Sequence, residues 1–541
     1  MSLTDQIKIL VDNVAAITED NAQEQLTLLS DFLSRAENQI IRVYVADSPG
    51  MGHQSNTVMI MYRLIQLGFN HTFQVVYAEG AEDNLTVNKL IKLIPGFAPN
   101  GDNPVTVTLS TNPTVNATMI PLTYFTTNIA SYPIQNFGIT GGYDSKSVNL
   151  AYAPTPATDT TPIIPGVNVS FFLKLQPYQW AQQNSIQRFD KTAAESIVLE
   201  TVAVLGKTTY SRKRGYFINP PQPPSEDAFA SDPTKYAPYQ TIVNAALSTT
   251  NPINLLPVYG ISSTETSGAT NANPEILAQN VLFDLITAVR YVQRFGSGNQ
   301  QRGAIIVNLA SIKDETYTTL NTLLSGAAPD LDQINTLVNN LPAIQGDLDT
   351  HTVEVISYTD SKLTEKIALL NGEGGANKIL VVKMGGIPVS AFNYMYSLST
   401  LPCVLEGKAT ANMVLNMGVP YLNILKDASV VYPTLPLSAT ANCQQAKDCN
   451  SVSYTFNQST GTMNTAMSVN PFSLEPPSDG FKTTPTYLIS QFITTVYNTN
   501  GGADSLNTYF AKLQAFFQNQ QQDKLYLGLL YFISYKDSLN N

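Results

Sequence analysis

Residues 378–422 (KILVVKMGGIPVSAFNYMYSLSTLPCVLEGKATANMVLNMGVPYL) constrain the fold of this chain more than any other stretch. Ile379–Lys383 is a short β-branched apolar run that stops at Gly385-Gly386. Val389–Leu398 carries apolar residues at helical spacing, and Leu401–Leu405 is a second buried run, broken by Glu406-Gly407. Lys408–Met417 is helical again, Gly418 suits a helix C-terminus, and Val419–Leu422 opens another strand. Apolar strands alternating with short helices predict parallel strands covered on both faces. Ligands of such sheets bind beyond the carboxyl ends of the strands, where both glycine turns fall. At the second turn, Gly407 lets a ligand approach the backbone, and Lys408, Ala409 and Thr410 open a helix whose free N–H groups suit an anion. Glu406 beside that anion site suits a sugar hydroxyl beside a phosphate; an ordinary helix-capping loop is the plainer reading.

The same rhythm occurs near the start. Ile40–Ala46 reads as a strand, Asp47–His53 as a loop with Pro49, Gly50 and Gly52, Ser55–Leu67 as a helix, and Phe73–Tyr77 as the next strand: a βαβ unit. The loop lacks the lysine of a phosphate-binding loop, and Ser55 breaks the dinucleotide GxGxxG pattern. His53 at a strand-to-helix turn is a candidate general base near pH 7, with Asp47 placed to orient it; a histidine capping the helix is the plainer alternative. His71 and Cys403 read as structural.

Further along, Asn88–Ile94 reads as a helix, and Val105–Leu109 and Met119–Phe125 as strands. GITGGYDSKS (138–147) reads as a surface turn rather than a cleft lining. Trp180 suits a core position, and KTTYSRKR (207–214) a solvated basic surface. The Pro-rich stretch 218–239 is the most boundary-like. Strands at Asn254–Gly260, Gly303–Leu309 and Val353–Tyr358, with helices at Pro274–Phe295, Ser311–Leu324 and Ser361–Leu370, lead into the 378–422 segment. Apolar spacing gives helices in 3–37 and over Thr484–Asn498 and Leu506–Leu539.

The 541 residues imply at least two domains. The expected division is a helical extension over 1–39, a Rossmann-like domain over 40–240, a second over 241–430, and an irregular segment with C-terminal helices, packing back on the body, over 431–541. A net charge of −11 argues against non-specific nucleic-acid binding. No apolar run reaches bilayer-spanning length. Three cysteines make no disulfide framework, which favours a reducing compartment. The expectation is a cytoplasmic protein, or one exported without a recognisable cleavable signal.

GMGHQSN (Gly50–Asn56) is similar to the Gly-x-Gly-His turn of MurG-like and UDP-glycosyltransferase-like enzymes. LPCVLEGKATANMVLNMGVPYL (Leu401–Leu422), ending in Gly418-Val419-Pro420, resembles their donor-binding segment. Together the motifs resemble a GT-B-fold glycosyltransferase: an α/β protein in which two Rossmann-like domains face each other across a cleft. That resemblance implies transfer of a sugar from a nucleotide-diphosphate sugar to an acceptor hydroxyl, inverting and without a metal or other cofactor. His53 would be the base and Asp47 its partner, with Gly50 and Gly52 in the acceptor-side loop. The donor would lie against Gly385, Gly386, Ile387, Glu406, Gly407, Lys408, Ala409 and Thr410. The chain departs from the family in having Gln54-Ser55-Asn56 after the histidine and long insertions at about 95–170 and 428–480. The alternatives are a sugar-nucleotide epimerase of the same fold, a catalytically silent carbohydrate- or protein-binding module, and a metal-dependent transferase using Asp347-Leu348-Asp349 near His351 or Asp330-Leu331-Asp332.

Overall fold

The structure is a computed structural model, and the described residues are 22–47, 51–79, 85–142, 167–175, 184–189, 195–199, 215–216, 219–261, 274–325, 345–405, 407–423, 485–497, 506–519 and 523–540. The chain forms two compact units, Met1–Ile218 with Phe516–Asn541, and Asn219–Ala515. The division falls at the start of the Pro-rich stretch, so 219–240 belong with the second unit.

The first unit holds an eight-stranded sheet in the order β3-β4-β2-β1-β5-β6-β7-β8. Its strands are β1 (Ile40–Val45), β2 (Thr72–Tyr77), β3 (Val105–Thr111), β4 (Thr114–Pro121), β5 (Gln135–Thr140), β6 (Val169–Lys174), β7 (Ser185–Arg188) and β8 (Glu195–Val198). The run β4-β2-β1-β5-β6 is parallel, while β3, β7 and β8 are antiparallel to their neighbours. Its helices are α1 (Ala22–Ser34), α2 (Gly52–Gln66), α3 (Thr86–Leu93) and α4 (Leu122–Thr127), with Lys524–Asn540 returning from the C-terminus. The second unit holds six strands, β9 (Asn254–Val258), β10 (Ala304–Asn308), β11 (Val353–Ser357), β12 (Ile379–Lys383), β13 (Cys403–Leu405) and β14 (Tyr421–Asn423), in the order β11-β12-β10-β9-β13-β14. All are parallel.

The two orders share one plan. Setting aside the edge strand (β3 in one unit, β11 in the other), five parallel strands follow the sequence 3-2-1-4-5 in each unit. That is the order of the doubly wound fold, with the chain switching sides after its first strand has been flanked. Both units are therefore Rossmann-like, each carrying an added strand beyond its third parallel position.

The sequence reading holds most closely in the second unit, where Pro274–Phe295, Ile379–Lys383 and Lys408–Met417 keep the expected bounds. Some expectations in the first unit change. Met119–Phe125 is not one strand: Pro121 has no amide hydrogen for the ladder, and Leu122–Thr127 turns into a helix. Residues 138–140 belong to β5, so the glycine-rich stretch is not a surface turn at its start. β7 and β8 were not anticipated. Trp180, the 207–214 cluster, Cys443 and Cys449 lie outside the described residues.

The first sheet is covered on one face by the C-terminal helix. From Lys524 to Ile533 the helix buries residues all around its circumference, among them Leu525, Tyr526, Leu527 and Leu529, as a helix inside a core does. Phe532 meets Phe32 of α1, Phe137 of β5 and Phe171 of β6 at ring-centroid distances of 5.7, 4.8 and 5.5 Å. Alternation along β6 sends Phe172 to the opposite cluster with Tyr44, Val76, Ile120 and Phe125. Asp523 fixes the start of the helix: Oδ1 accepts the Leu525 N–H at 2.7 Å, and Oδ2 meets Arg63 Nε of α2 at 2.5 Å, both side chains almost wholly buried. Asp523→Ala removes the buried carboxylate that meets Arg63 and should destabilise the first unit by about 3–5 kcal/mol. Arg63→Met with Asp523→Leu should recover most of that loss in urea denaturation.

In the second unit, helix Pro274–Phe295 packs on Pro485–Tyr497, where Thr287 and Thr486 hydroxyls pair at 2.8 Å and Thr486 faces Asp284 at 3.5 Å. Asp284 is part-exposed as a residue, yet burial of its carboxyl pushes the pKa up to about 7. The folded state therefore holds this proton more tightly than the unfolded chain, and the contribution to stability falls as pH rises from about 4 to about 7. Asp284→Asn should match wild type in thermal midpoint at pH 4 and exceed it at pH 8.

Candidate functional site

Each sheet has one switch point, between β1 and β5 in the first unit and between β9 and β13 in the second. Ligands of open α/β sheets bind beyond the carboxyl ends of the strands at this position.

In the first unit, α2 begins at Gly52, three residues earlier than the spacing suggested, so His53 lies in the first helical turn rather than in a loop. The N–H groups of Gly52, His53 and Gln54 precede the first intrahelical bond, from Ser55 N to Met51 O, and the N-cap residue Met51 makes no side-chain cap. The helix start is tied to both flanking strands by buried polar side chains. Gln54 Nε2 donates to Ala46 O after β1 at 2.7 Å. Asn56 Nδ2 donates to Gly141 O after β5 at 2.5 Å, and the Gly141 N–H donates to Thr57 Oγ1 at 3.2 Å. Thr57 also donates to the His53 carbonyl at 2.9 Å. His53 is half-buried, and a Cβ at Gly142 would lie 3.6 Å from its Cβ and 3.4 Å from that of Ala46. The Gly141-Gly142 pair is thus buried at the switch point beside His53, which corrects its reading as a surface turn.

Asp47 stands exposed just past β1, and the hydrogen bond it makes is to Thr86 Oγ1 at 3.0 Å, at the start of α3. It ties β1 to the next helix, a role different from the expected orientation of His53. Gly50 lies outside the described residues.

In the second unit, Gly407 precedes helix Lys408–Met417 with a φ of 88°, a conformation that favours glycine, and a side chain there would meet nothing within 4 Å. The first intrahelical bond is Ala411 N to Gly407 O, which leaves the N–H groups of Lys408, Ala409 and Thr410 without an intrahelical partner and without a capping side chain. Glu406 lies outside the described residues. The turn after β12 bends back over β10: Met384 and Gly385 both donate to Asn308 O, at 3.1 and 3.0 Å. Gly385 has a φ of 64°, Gly386 is exposed and Ile387 half-buried. β12 and β13 are three strand spacings apart, roughly 14 Å, so the two glycine turns suit the two ends of an extended ligand.

Several residues here went unread in the sequence. Asn308 is fully buried at the end of β10, where its side chain also holds Ala310 and Tyr317. Lys235 Nζ donates to Gly386 O at 2.7 Å and lies 5.1 Å from the Tyr358 ring. Its position in the Pro-rich stretch gave no local signal. Gln54 and Thr57 did carry one: with buried Met61 and Leu64 they extend a stripe at spacings of three and four residues, so a polar end to that stripe implies buried hydrogen bonding.

The aspartates of Asp347-Leu348-Asp349 are bound internally. Lys366 Nζ bonds Asp347 Oδ1 and, at 2.8 Å, Asp349 Oδ2, and these contacts hold the Asp347 carboxyl below its usual range. His351 Nδ1 faces Thr350 Oγ1 at 2.8 Å. Asp330 and Asp332 lie outside the described residues. Among the described residues no helix is long and apolar enough to cross a membrane.

No family model matches the chain, and no curated protein matches it either.

A Cβ at Gly141 would fall 2.5 Å from Asn56 Nδ2 and 2.9 Å from Thr57 N, whereas one at Gly142 meets only ordinary contacts. Gly141→Ala should therefore destabilise the first unit by about 1–3 kcal/mol. Gly142→Ala should leave the urea midpoint nearly unchanged while filling the space beside His53.

Proposed function

We propose that the chain is a glycosyltransferase of the GT-B kind, taking its sugar from a nucleotide-diphosphate donor. The observation that carries this reading is that each unit, independently, places a helix start at the switch point of its sheet: Gly52-His53 in the first and Gly407-Lys408 in the second, where the N–H groups of Lys408, Ala409 and Thr410 have no intrahelical partner. One such opening is common in α/β proteins. Two, one with an imidazole in its first turn and one opened by a positive-φ glycine, match an acceptor site and a diphosphate site.

In this reading the donor diphosphate lies on the N–H groups of Lys408, Ala409 and Thr410, aided by the helix dipole. The nucleoside lies toward the turn of Gly385, Gly386 and Ile387, whose position is set by the bonds of Gly385 N–H to Asn308 O and of Lys235 to Gly386 O. The His53 imidazole takes the proton of the acceptor hydroxyl, whose oxygen attacks the anomeric carbon as the bond to the diphosphate oxygen breaks. The electron pair leaves on the nucleoside diphosphate, and the helix end meets the developing charge. Attack opposite the leaving group inverts the anomeric centre. The base would work without Asp47, which is engaged with Thr86.

Thermal unfolding in the presence of a chelator tests the donor site. At least one nucleoside diphosphate should raise the midpoint by several degrees at saturating concentration. Gly407→Val should abolish the shift, because β-branched residues resist a φ of 88° and the side chain would cover the free N–H groups. With a donor in hand, His53→Ala should lower kcat by about 10²–10⁴-fold while the thermal shift persists. Absence of a shift with every common nucleoside diphosphate and nucleotide sugar would overturn the proposal and favour a non-catalytic binding module.

A further inference from the structure

The amino ends of the first sheet present a different chemistry from the carboxyl ends. β1, β2 and β4 are parallel neighbours, and their register sets Ile40, Thr72 and Asn116 in one row across the three strands. Gln39 precedes that row on β1, Asn70 and His71 precede it on β2, and Thr114 precedes it on β4. These residues line an open concavity of about 440 Å³, within the range of roughly 300–1,000 Å³ typical of small-molecule sites.

The lining is almost wholly uncharged and polar. Ile40 is its one apolar member among the described residues, and no Lys, Arg, Asp or Glu takes part. Among the described residues, the side-chain amides of Gln39 and Asn70 and the hydroxyl of Thr72 have no hydrogen-bond partner, and all three line the concavity. Asn116 accepts from Thr108 Oγ1 through Oδ1 at 3.0 Å, leaving its NH₂ group available. His71 also lines the concavity, held by a ring nitrogen 3.2 Å from Ser34 O and by a T-shaped contact with Phe69. The backbone beneath is fixed by the sheet and by Thr72 N donating to Gln39 O at 3.1 Å.

This inventory excludes most ligand classes. A phosphate or carboxylate would find no Lys or Arg in the lining, and a lipid no apolar wall. What matches side-by-side amide donors and acceptors is a ligand that is itself a dense array of hydroxyls, each both donor and acceptor. We propose that the concavity at the amino ends of β1, β2 and β4 is a non-catalytic binding site for an uncharged carbohydrate. It lies at the opposite end of the strands from His53: Ile40 and Val45 alone are separated by about 17 Å along β1. The proposal does not depend on the chain being a transferase, since a sugar-binding protein would use the site equally.

The test is saturation-transfer-difference NMR of the full chain with a panel of neutral gluco-, galacto-, manno- and N-acetylglucosaminyl trisaccharides. At least one should bind the wild type, and Asn70→Ala with Asn116→Ala should weaken it at least tenfold while the thermal midpoint is kept. Gln39→Ala, at an exposed position, provides a second reading should the double variant unfold, and should also weaken binding. His53→Ala and Gly407→Val should bind the trisaccharide as wild type does. Failure of every trisaccharide to bind, persistence of binding in the Asn70 and Asn116 double variant and in Gln39→Ala, or its loss in His53→Ala or Gly407→Val would overturn the proposal. Failure of nucleoside diphosphates to bind would leave it standing.

Discussion

The first unit depends on a helix supplied from the far end of the chain. Lys524–Asn540 enters a core built more than 300 residues earlier, where Phe532 sits among rings from α1, β5 and β6. Over residues 524–533 the helix has no polar face to give to solvent, so this part is stable only inside the sheet and helix layer. The buried Arg63–Asp523 pair fixes where it starts. Asp523 serves twice, as counter-charge to α2 and as acceptor for the first N–H groups of the helix. Since α2 also carries His53 at its other end, one helix joins the C-terminal anchor to the candidate acceptor site.

A second buried cation organises the opposite side of that sheet. Arg42 on β1 is fully buried, and burial pulls its pKa down to about 10, which leaves it charged at neutral pH. Among the described residues it meets no carboxylate. It donates instead to Gln74 Oε1 and to the carbonyls of Pro133, Val167 and Asn168, and lies 5.2 Å from the Phe125 ring. Oxygen dipoles and a ring face thus offset the cost of removing the guanidinium from water. The arrangement pins the segments that lead into β5 and β6, and so sets the position of Gly141 and Gly142 at the far end of β5.

Both units repeat one topology on different local sequence. Their five parallel strands share an order, and each adds a strand at the same edge, antiparallel in the first unit and parallel in the second. The glycine turns take their meaning from that plan. Gly142 and Gly407 stand at equivalent places, each after the parallel strand that lies across the switch point from the first. In one unit the space beside the glycine is occupied by His53; in the other it is open above a helix start.

Much of the second unit was legible because its inner strands are buried on both faces and the helices around its glycine turns are short. β10 and β12 read as unbroken apolar runs, and Gly407 and Gly418 mark the two ends of helix Lys408–Met417. The first unit was less legible because β5 mixes polar residues with glycine, and β7 and β8 are four residues each. The local sequence, through its periodicity and glycine placement, determined that the chain alternates strands and helices and where most helices begin. Only the tertiary structure decided strand order, the engagement of Asp47 with Thr86, and the approach of Lys235 and Asn308 to the Gly385 turn. Those depend on contacts between residues as many as 151 positions apart, and local periodicity carries no information about which distant segment will fill a given face.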